Sequence, residues 1–256
     1  MAPFDLTACL SRPAEGFYTS EVPDARGWPL RTFLPTGYEP NYPYPLLVFL
    51  HGHGSSEEQI LRLAPKLSRR NYICIALRGP HAAGQRPDGR PAYSWGSDGN
   101  SDSSIEEYVF GAILQTRRHY HVHSERIYLA GFQEGATLAY RFGLTFPEKF
   151  AGVISLNGCL PRRGGPLLRL PEVRGLKVLI GHGIANAIVP FSMAQADHRL
   201  FYSAGMDVAL KSYPSNHRIH AEMLRDIDYW IIRHIDQESG VQDEEPEETD
   251  QENDQL

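Results

Sequence analysis

Short unbroken apolar runs recur along this chain, separated by longer stretches in which apolar residues return every three or four positions. Leu46–Leu50 (LLVFL) has the pattern of a strand covered on both faces, Tyr72–Leu77 reads as the next buried strand, and Gly152–Leu156 (GVISL) and Lys177–Ile180 (KVLI) read as strands. Pro29–Leu34, Arg126–Ala130 and Val208–Tyr213 predict further strands. Between them, helical spacing predicts five helices. Glu57–Arg70 places Ile60, Leu63 and Leu67 on one side, and Ser103–His119 does the same with Ile105, Val109, Ala112 and Ile113. Ala136–Phe146 ends at Pro147, Val189–Ala204 carries Met193, Ala196, Leu200, Phe201 and Ala204 on one face, and Ala221–Ile235 carries Leu224, Ile227, Ile231 and Ile235. Strand and helix alternate, which predicts an α/β fold: a mostly parallel central sheet with helices on both faces. In such sheets ligands bind beyond the carboxyl ends of the strands, so the loops after Leu50, Ala130, Ile180 and Tyr213 are expected to cluster. The Gly- and Pro-rich stretch Gly79–Gly99 reads as a long loop, with Tyr93 and Trp95 expected to wall the pocket.

Composition divides the chain. The formal charge is −6, yet ten acidic residues and no Lys or Arg lie between Asp236 and Leu256. The rest has 25 basic and 21 acidic residues and is mildly basic. The expected organisation is an N-terminal extension (1–27), one domain (28–235) and a disordered acidic tail (236–256), read first as a solvating tail, with folding back over basic pairs such as Arg69-Arg70 or Arg162-Arg163 as the sharper alternative. No apolar run approaches the ~18–20 residues that span a bilayer. The first residues lack the basic start and apolar stretch of a secretory leader. Cys9, Cys74 and Cys159 lie far apart and form no CxxC, so neither a metal site nor a disulfide framework is expected. These features predict a cytoplasmic protein with no membrane span, no cofactor, no metal and no nucleic-acid partner.

The candidate chemistry lies in the loops expected to cluster. A nucleophile elbow needs small residues on both sides of the nucleophile, because the chain turns sharply from strand into helix. Gly131-Phe132-Gln133-Glu134-Gly135 supplies both glycines in that setting, with glutamine at the nucleophile position. Downstream, His182-Gly183-Ile184-Ala185-Asn186-Ala187-Ile188-Val189-Pro190 follows a strand, and Tyr213-Pro214-Ser215-Asn216-His217 follows the last one. Nucleophile, acid, histidine is the chain order of the fold that uses such elbows.

With these motifs in place, the sequence resembles the phospholipase/carboxylesterase branch of the α/β-hydrolases, which includes acyl-protein thioesterases. The likeness covers about Pro29 to Ile235. Family members read LHGxG, GFSxG, HGxxDxxVP and a GHxI-like histidine loop; here these stretches read LHGHG, GFQEG, HGIANAIVP and NHRIH. The resemblance implies an α/β-hydrolase fold. It places Gln133 at the serine's position, Asn186 at the aspartate's and His217 at the histidine's, with the backbone N–H groups of His53 and Glu134 as the oxyanion hole.

Two of those three positions have changed. Hydrolysis by this route needs a hydroxyl or thiol that histidine can deprotonate, and a glutamine amide is a very poor nucleophile. Asparagine can orient a histidine but brings no charge, and in a serine protease the Asp-to-Asn change costs about 10⁴ in turnover. The reading that follows is a pseudo-hydrolase binding a small ester-like ligand or a protein partner. The alternative is an ester or thioester hydrolase using a displaced serine (Ser55, Ser56 or Ser103), a deamidated Gln133, or water activated by His217. His51 and His182, each in an HG pair, are expected to position loops; a zinc site from His51, His53 and His182 is the lesser reading.

Overall fold

A computed structural model describes residues 15–23, 25–96, 102–161 and 170–239. Among them, ten strands and seven helices follow the chain: β1 (Gly16–Val22), β2 (Trp28–Leu34), β3 (Tyr44–Leu50), α1 (Glu57–Leu61), α2 (Ala64–Leu67), β4 (Ile73–Leu77), β5 (His81–Gln85), β6 (Pro91–Ser94), α3 (Asp102–His119), β7 (Val122–Phe132), α4 (Glu134–Thr145), β8 (Gly152–Leu156), α5 (Leu170–Val173), β9 (Lys177–Gly183), α6 (Phe191–Ser203), β10 (Asp207–Tyr213) and α7 (Ala221–Ser239). Eight strands form one sheet in the order β1-β2-β4-β3-β7-β8-β9-β10. The pairings β1–β2 and β2–β4 are antiparallel, and those from β4 to β10 are parallel. The sheet is that of an α/β-hydrolase.

The period-two geometry of strands explains the unbroken apolar runs. In β3 every residue is buried, because alternate side chains enter opposite cores. Leu46, Val48 and Leu50 pack with Val109, Leu138 and Phe201 from α3, α4 and α6. Leu47 and Phe49 pack with Ile60, Leu224 and Ile231 from α1 and α7. On α7, Met223, Leu224, Ile227, Trp230, Ile231 and His234 form the buried face, the i, i+3/i+4 spacing of an amphipathic helix. Truncating Ile231, which is fully buried, to alanine would cost about 2–5 kcal/mol.

Several expectations are corrected. The helix expected over Glu57–Arg70 is two short helices. Pro65 lies in the first turn of α2, and its ring and missing N–H prevent a bond back to the carbonyl of Leu61. The stretch expected to be a loop after Gly79 contains the antiparallel hairpin β5–β6, turning through Arg86–Arg90 with Gly89 at φ +77°. Its residues 97–99 lie outside the described ones. The N-terminal extension is not wholly detached, since β1 is an edge strand of the sheet; its residues 1–14 are not among those described. At the other end, α7 runs to Ser239, four residues into the segment read as tail. The remainder of that tail and Arg162-Arg163 lie outside the described residues. Among the described residues no helix is long and apolar enough to cross a membrane.

Candidate active site

β7 ends at Phe132 and α4 begins at Glu134, so Gln133 alone makes the turn. It does so at φ 51°, ψ −111°, a region that costs a non-glycine residue ~1–3 kcal/mol. The flanking glycines have no room for a side chain. A Cβ on Gly131 would lie 2.2 Å from the carbonyl oxygen of Gly135, and one on Gly135 would lie 2.0 Å from that of Leu50. The backbone is thus an elbow in all respects but its side chain. The Gln133 Oε1 accepts from the backbone N–H of His53 at 2.8 Å. That N–H is one of the two donors expected to form the oxyanion hole, so the glutamine oxygen occupies its hydrogen-bonding direction. Glu134, whose N–H is the other expected donor, has its carboxylate tied to the hairpin: it accepts from Ser94 Oγ at 2.8 Å and Trp95 N at 3.2 Å. His53 Nδ1 lies 3.7 Å from the same carboxylate.

Asn186 and His217 meet. The His217 Nδ1 lies 3.0 Å from Asn186 Oδ1. That oxygen also accepts from the backbone N–H groups of Ile188 and Val189, both at 3.0 Å, so the buried amide is oriented with its oxygen toward the histidine. An amide oxygen only accepts, which makes Nδ1 the protonated nitrogen of His217 and leaves Nε2 with a lone pair. Burial, and then the neighbouring His182, hold the His217 pKa below the ordinary histidine value. The ring is neutral at pH 7. No hydrogen bond joins Gln133 to His217 among the described residues.

Asn157 is a further member that sequence reasoning missed. It is fully buried, follows β8 directly and has φ 52°. Its Oδ1 accepts from Gly183 N at 2.9 Å and from Asn186 Nδ2 at 3.2 Å, and its Nδ2 donates to Arg218 O at 2.9 Å. Asn157 thereby fixes which way Asn186 points. The available signal was an asparagine, a residue tolerant of positive φ, at the carboxyl end of a predicted strand.

His217 opens onto a cleft of about 310 Å³ lined by Gly52, Ser55, Ile60, Leu63, Phe132 and Ile219, among others. The Phe132 ring packs 5.0 Å from the imidazole. The expected aromatic wall is elsewhere. Trp95 is buried, donates from Nε1 to the carbonyl of His51 at 2.8 Å and packs against that ring, while Tyr93 lines a separate cleft. His51 and His182 have structural partners. His51 Nδ1 lies 2.8 Å from Gly52 O and its Nε2 accepts from Gly79 N at 2.9 Å. His182 Nε2 lies 2.8 Å from Val189 O. Burial lowers both pKa values. Of the serines weighed as displaced nucleophiles, Ser55 lines the His217 cleft but gives its hydroxyl proton to Gln59 Oε1 at 2.8 Å. Ser56 receives bonds from Gln59 N and Arg86, and Ser103 lies exposed on α3. Among the described residues no cluster of His, Cys, Asp and Glu is arranged to hold a metal ion.

Comparison with known proteins agrees with this architecture. The phospholipase/carboxylesterase family profile matches residues 40–235. "Probable carboxylesterase Os04g0669500" of Oryza sativa subsp. japonica is 33% identical over 113 residues, 43% of this chain and 42% of that protein. Acyl-protein thioesterase 1 of Neurospora crassa is 22% identical over 207 residues, 71% of this chain and 82% of that one. The match spans 42% and 50% of the lengths of two rice carboxylesterase relatives. Among solved structures, a carboxylesterase from Mesorhizobium loti superposes with a TM-score of 0.67 at 20% identity, covering 84% of this chain and 98% of that one. A Thermus thermophilus protein, TT1662, superposes with a TM-score of 0.64 at 21% identity, covering 85% and 97%; at these identities the likeness is one of fold. The chain belongs to the phospholipase/carboxylesterase family of α/β-hydrolases.

Proposed function

We propose that this protein is a pseudo-hydrolase: it uses the family's cleft to bind a small ester-like ligand, or a protein partner, without serine-based turnover. The observation that carries the reading is the position of Gln133. It stands at the apex of the elbow, has no hydroxyl to deprotonate, and places its own oxygen on the N–H of His53. In this reading Gln133, Asn186 and His217 are the triad-equivalent positions, and the N–H groups of His53 and Glu134 are a partly occupied oxyanion hole. In this reading the hydrolase domain takes in β1 through α7, residues 16–239, and its place is the cytoplasm.

The test is hydrolysis of short-chain p-nitrophenyl esters and labelling by a fluorophosphonate probe. The proposal expects no labelling and no turnover above that of a His217→Ala variant; clear His217-dependent turnover overturns it.

One observation supports a second reading, in which His217 activates water and gives slow ester or thioester hydrolysis. Loss of the aspartate disables a triad partly by allowing the wrong histidine tautomer. Here the fixed Asn186 amide holds the useful one, so what is missing is charge and a nucleophile. Under this reading the residual rate disappears with His217→Ala and persists in Gln133→Ala.

A further inference from the structure

A second cleft, of about 360 Å³, lies on the other side of the segment that walls the His217 cleft. Ser55, Gln59 and Ile60 face the first; Ser56, Glu57 and Glu58 line the second, together with Arg78, Arg86, Arg90, Pro91 and Tyr93. Four guanidinium groups and three carboxylates gather here, and their pairing leaves one positive charge over. Arg78 holds the fully buried Glu57 carboxylate through Nε at 2.9 Å and through Nη2, and its guanidinium lies 4.5 Å from the Tyr93 ring centre. Arg31 pairs with Glu58 at 2.5 Å and lies 3.8 Å from Glu57.

Arg86 and Arg90 remain, delivered together by the turn of the β5–β6 hairpin, where Arg86 N donates to Arg90 O at 2.8 Å. Among the described residues the Arg90 side chain reaches only the already paired Glu58, at 3.3 Å. Arg86 is the anomaly. Its side chain is 4% exposed, and its one side-chain hydrogen bond among the described residues runs from Nη1 to the hydroxyl of Ser56 at 3.1 Å. The Nε lies 3.4 Å from a carboxylate oxygen of half-exposed Asp88, close enough for charge attraction, but it is buried without a hydrogen bond. A guanidinium carries five N–H donors, and a buried charge with so few acceptors is costly unless something else supplies them.

We propose that this cleft is a binding site for an oxyanion, a phosphate or carboxylate group carried by a small organic molecule, held by Arg86 and Arg90. The guanidinium fork matches either group through paired hydrogen bonds. The surplus charge suits a single anionic group, and the cleft is larger than that group alone requires. The proposal stands whether or not His217 turns over an ester.

The test is calorimetric titration of the full chain at low ionic strength with inorganic phosphate, glycerol phosphate and butyrate, with chloride as control. Saturable binding of at least one oxyanion, weakened tenfold or more by Arg86→Gln and at least threefold by Arg90→Gln, is expected. Glycerol phosphate binding more tightly than inorganic phosphate identifies an organic ester as the source, butyrate binding best identifies a carboxylate, and equal binding of the two phosphates identifies the free ion and overturns the organic part. Arg86→Lys keeps the charge without the fork and provides a folded comparison if Arg86→Gln does not fold; Arg90 is half-exposed, so its replacement tests the site independently. Absence of saturable binding by all three oxyanions, or binding unchanged in the arginine variants, overturns the proposal.

Discussion

Replacing Asn186 by aspartate restores the family's acid on paper, and the structure predicts that it destabilises the fold instead. The amide Nδ2 of Asn186 donates to Asn157 Oδ1 at 3.2 Å. Aspartate would put an oxygen there. Asn157 cannot turn its own amide to compensate, because Oδ1 accepts from Gly183 N and Nδ2 donates to Arg218 O. An ionised aspartate at this position therefore loses one neutral hydrogen bond and sets two buried acceptors against each other, about 2–4 kcal/mol together. Stronger bonds from Ile188, Val189 and His217 to a charged oxygen offset part of this, leaving a net cost of about 2 kcal/mol.

The protonated form of the introduced carboxyl has the shape and the donor of asparagine, so its folded-state pKa lies above the unfolded value of about 3.9. A raised pKa means that the variant approaches wild-type stability below that value and falls behind as pH climbs through the folded pKa. For a domain of this size the gap is about 4–8 °C in Tm. Thermal melts of wild type and Asn186→Asp at pH 4.5 and pH 8 measure it. A gap that is equal at the two pH values, or a variant more stable than wild type at pH 8, refutes the argument. Adding Asn157→Ser, whose hydroxyl is free to donate, is expected to recover about 1 kcal/mol in a double-mutant cycle.

Other expectations follow from the same geometry. Gln133→Ser with Asn186→Asp is expected to be labelled weakly by a fluorophosphonate, and more strongly once Asn157→Ser is added; equal labelling of the two would show that Asn157 does not matter. Gly135→Ala is expected to prevent folding, read as loss of soluble product with native circular dichroism, since its Cβ would lie 2.0 Å from the Leu50 carbonyl oxygen. Gln133→Gly removes backbone strain of ~1–3 kcal/mol against a hydrogen bond of ~1 kcal/mol; a modest rise in the urea midpoint is expected. His51, His182 and His217 have lowered pKa values, mainly because burial disfavours the charged ring. The unfolded chain therefore takes up protons first, and stability present above about pH 6.5 is lost as pH falls below it. A Tm that holds steady from pH 7.5 to 5.5 would contradict this.

What the sequence made legible followed from local periodicity. Leu46–Leu50 read as a strand covered on both faces because both faces are covered, and Gly131 and Gly135 marked the elbow because sterics admit nothing else there. The hairpin after Gly79 escaped because His81–Gln85 and Pro91–Ser94 show neither clear alternation nor β-branched residues; it is held by tertiary bonds such as Ser94 and Trp95 to Glu134. Asn157 left a signal in its place at a strand end, but its partners were not legible for a similar reason. It depends on β8 and β9 ending side by side, which brings residues 29 positions apart into contact. The arginine cleft draws on β2, α1 and the β5–β6 turn, so no stretch of sequence announces it.

The Gln133 side chain has a second end. Its oxygen is taken by His53, while its Nε2 group has no protein acceptor among the described residues. In the family's catalysts this position offers a lone pair to the carbon of a carbonyl. Here it presents two N–H groups, which can donate to a carbonyl oxygen but cannot attack its carbon. On the proposed pseudo-hydrolase reading, the elbow would meet the same functional group of a ligand with its polarity reversed, holding a carbonyl that it does not attack.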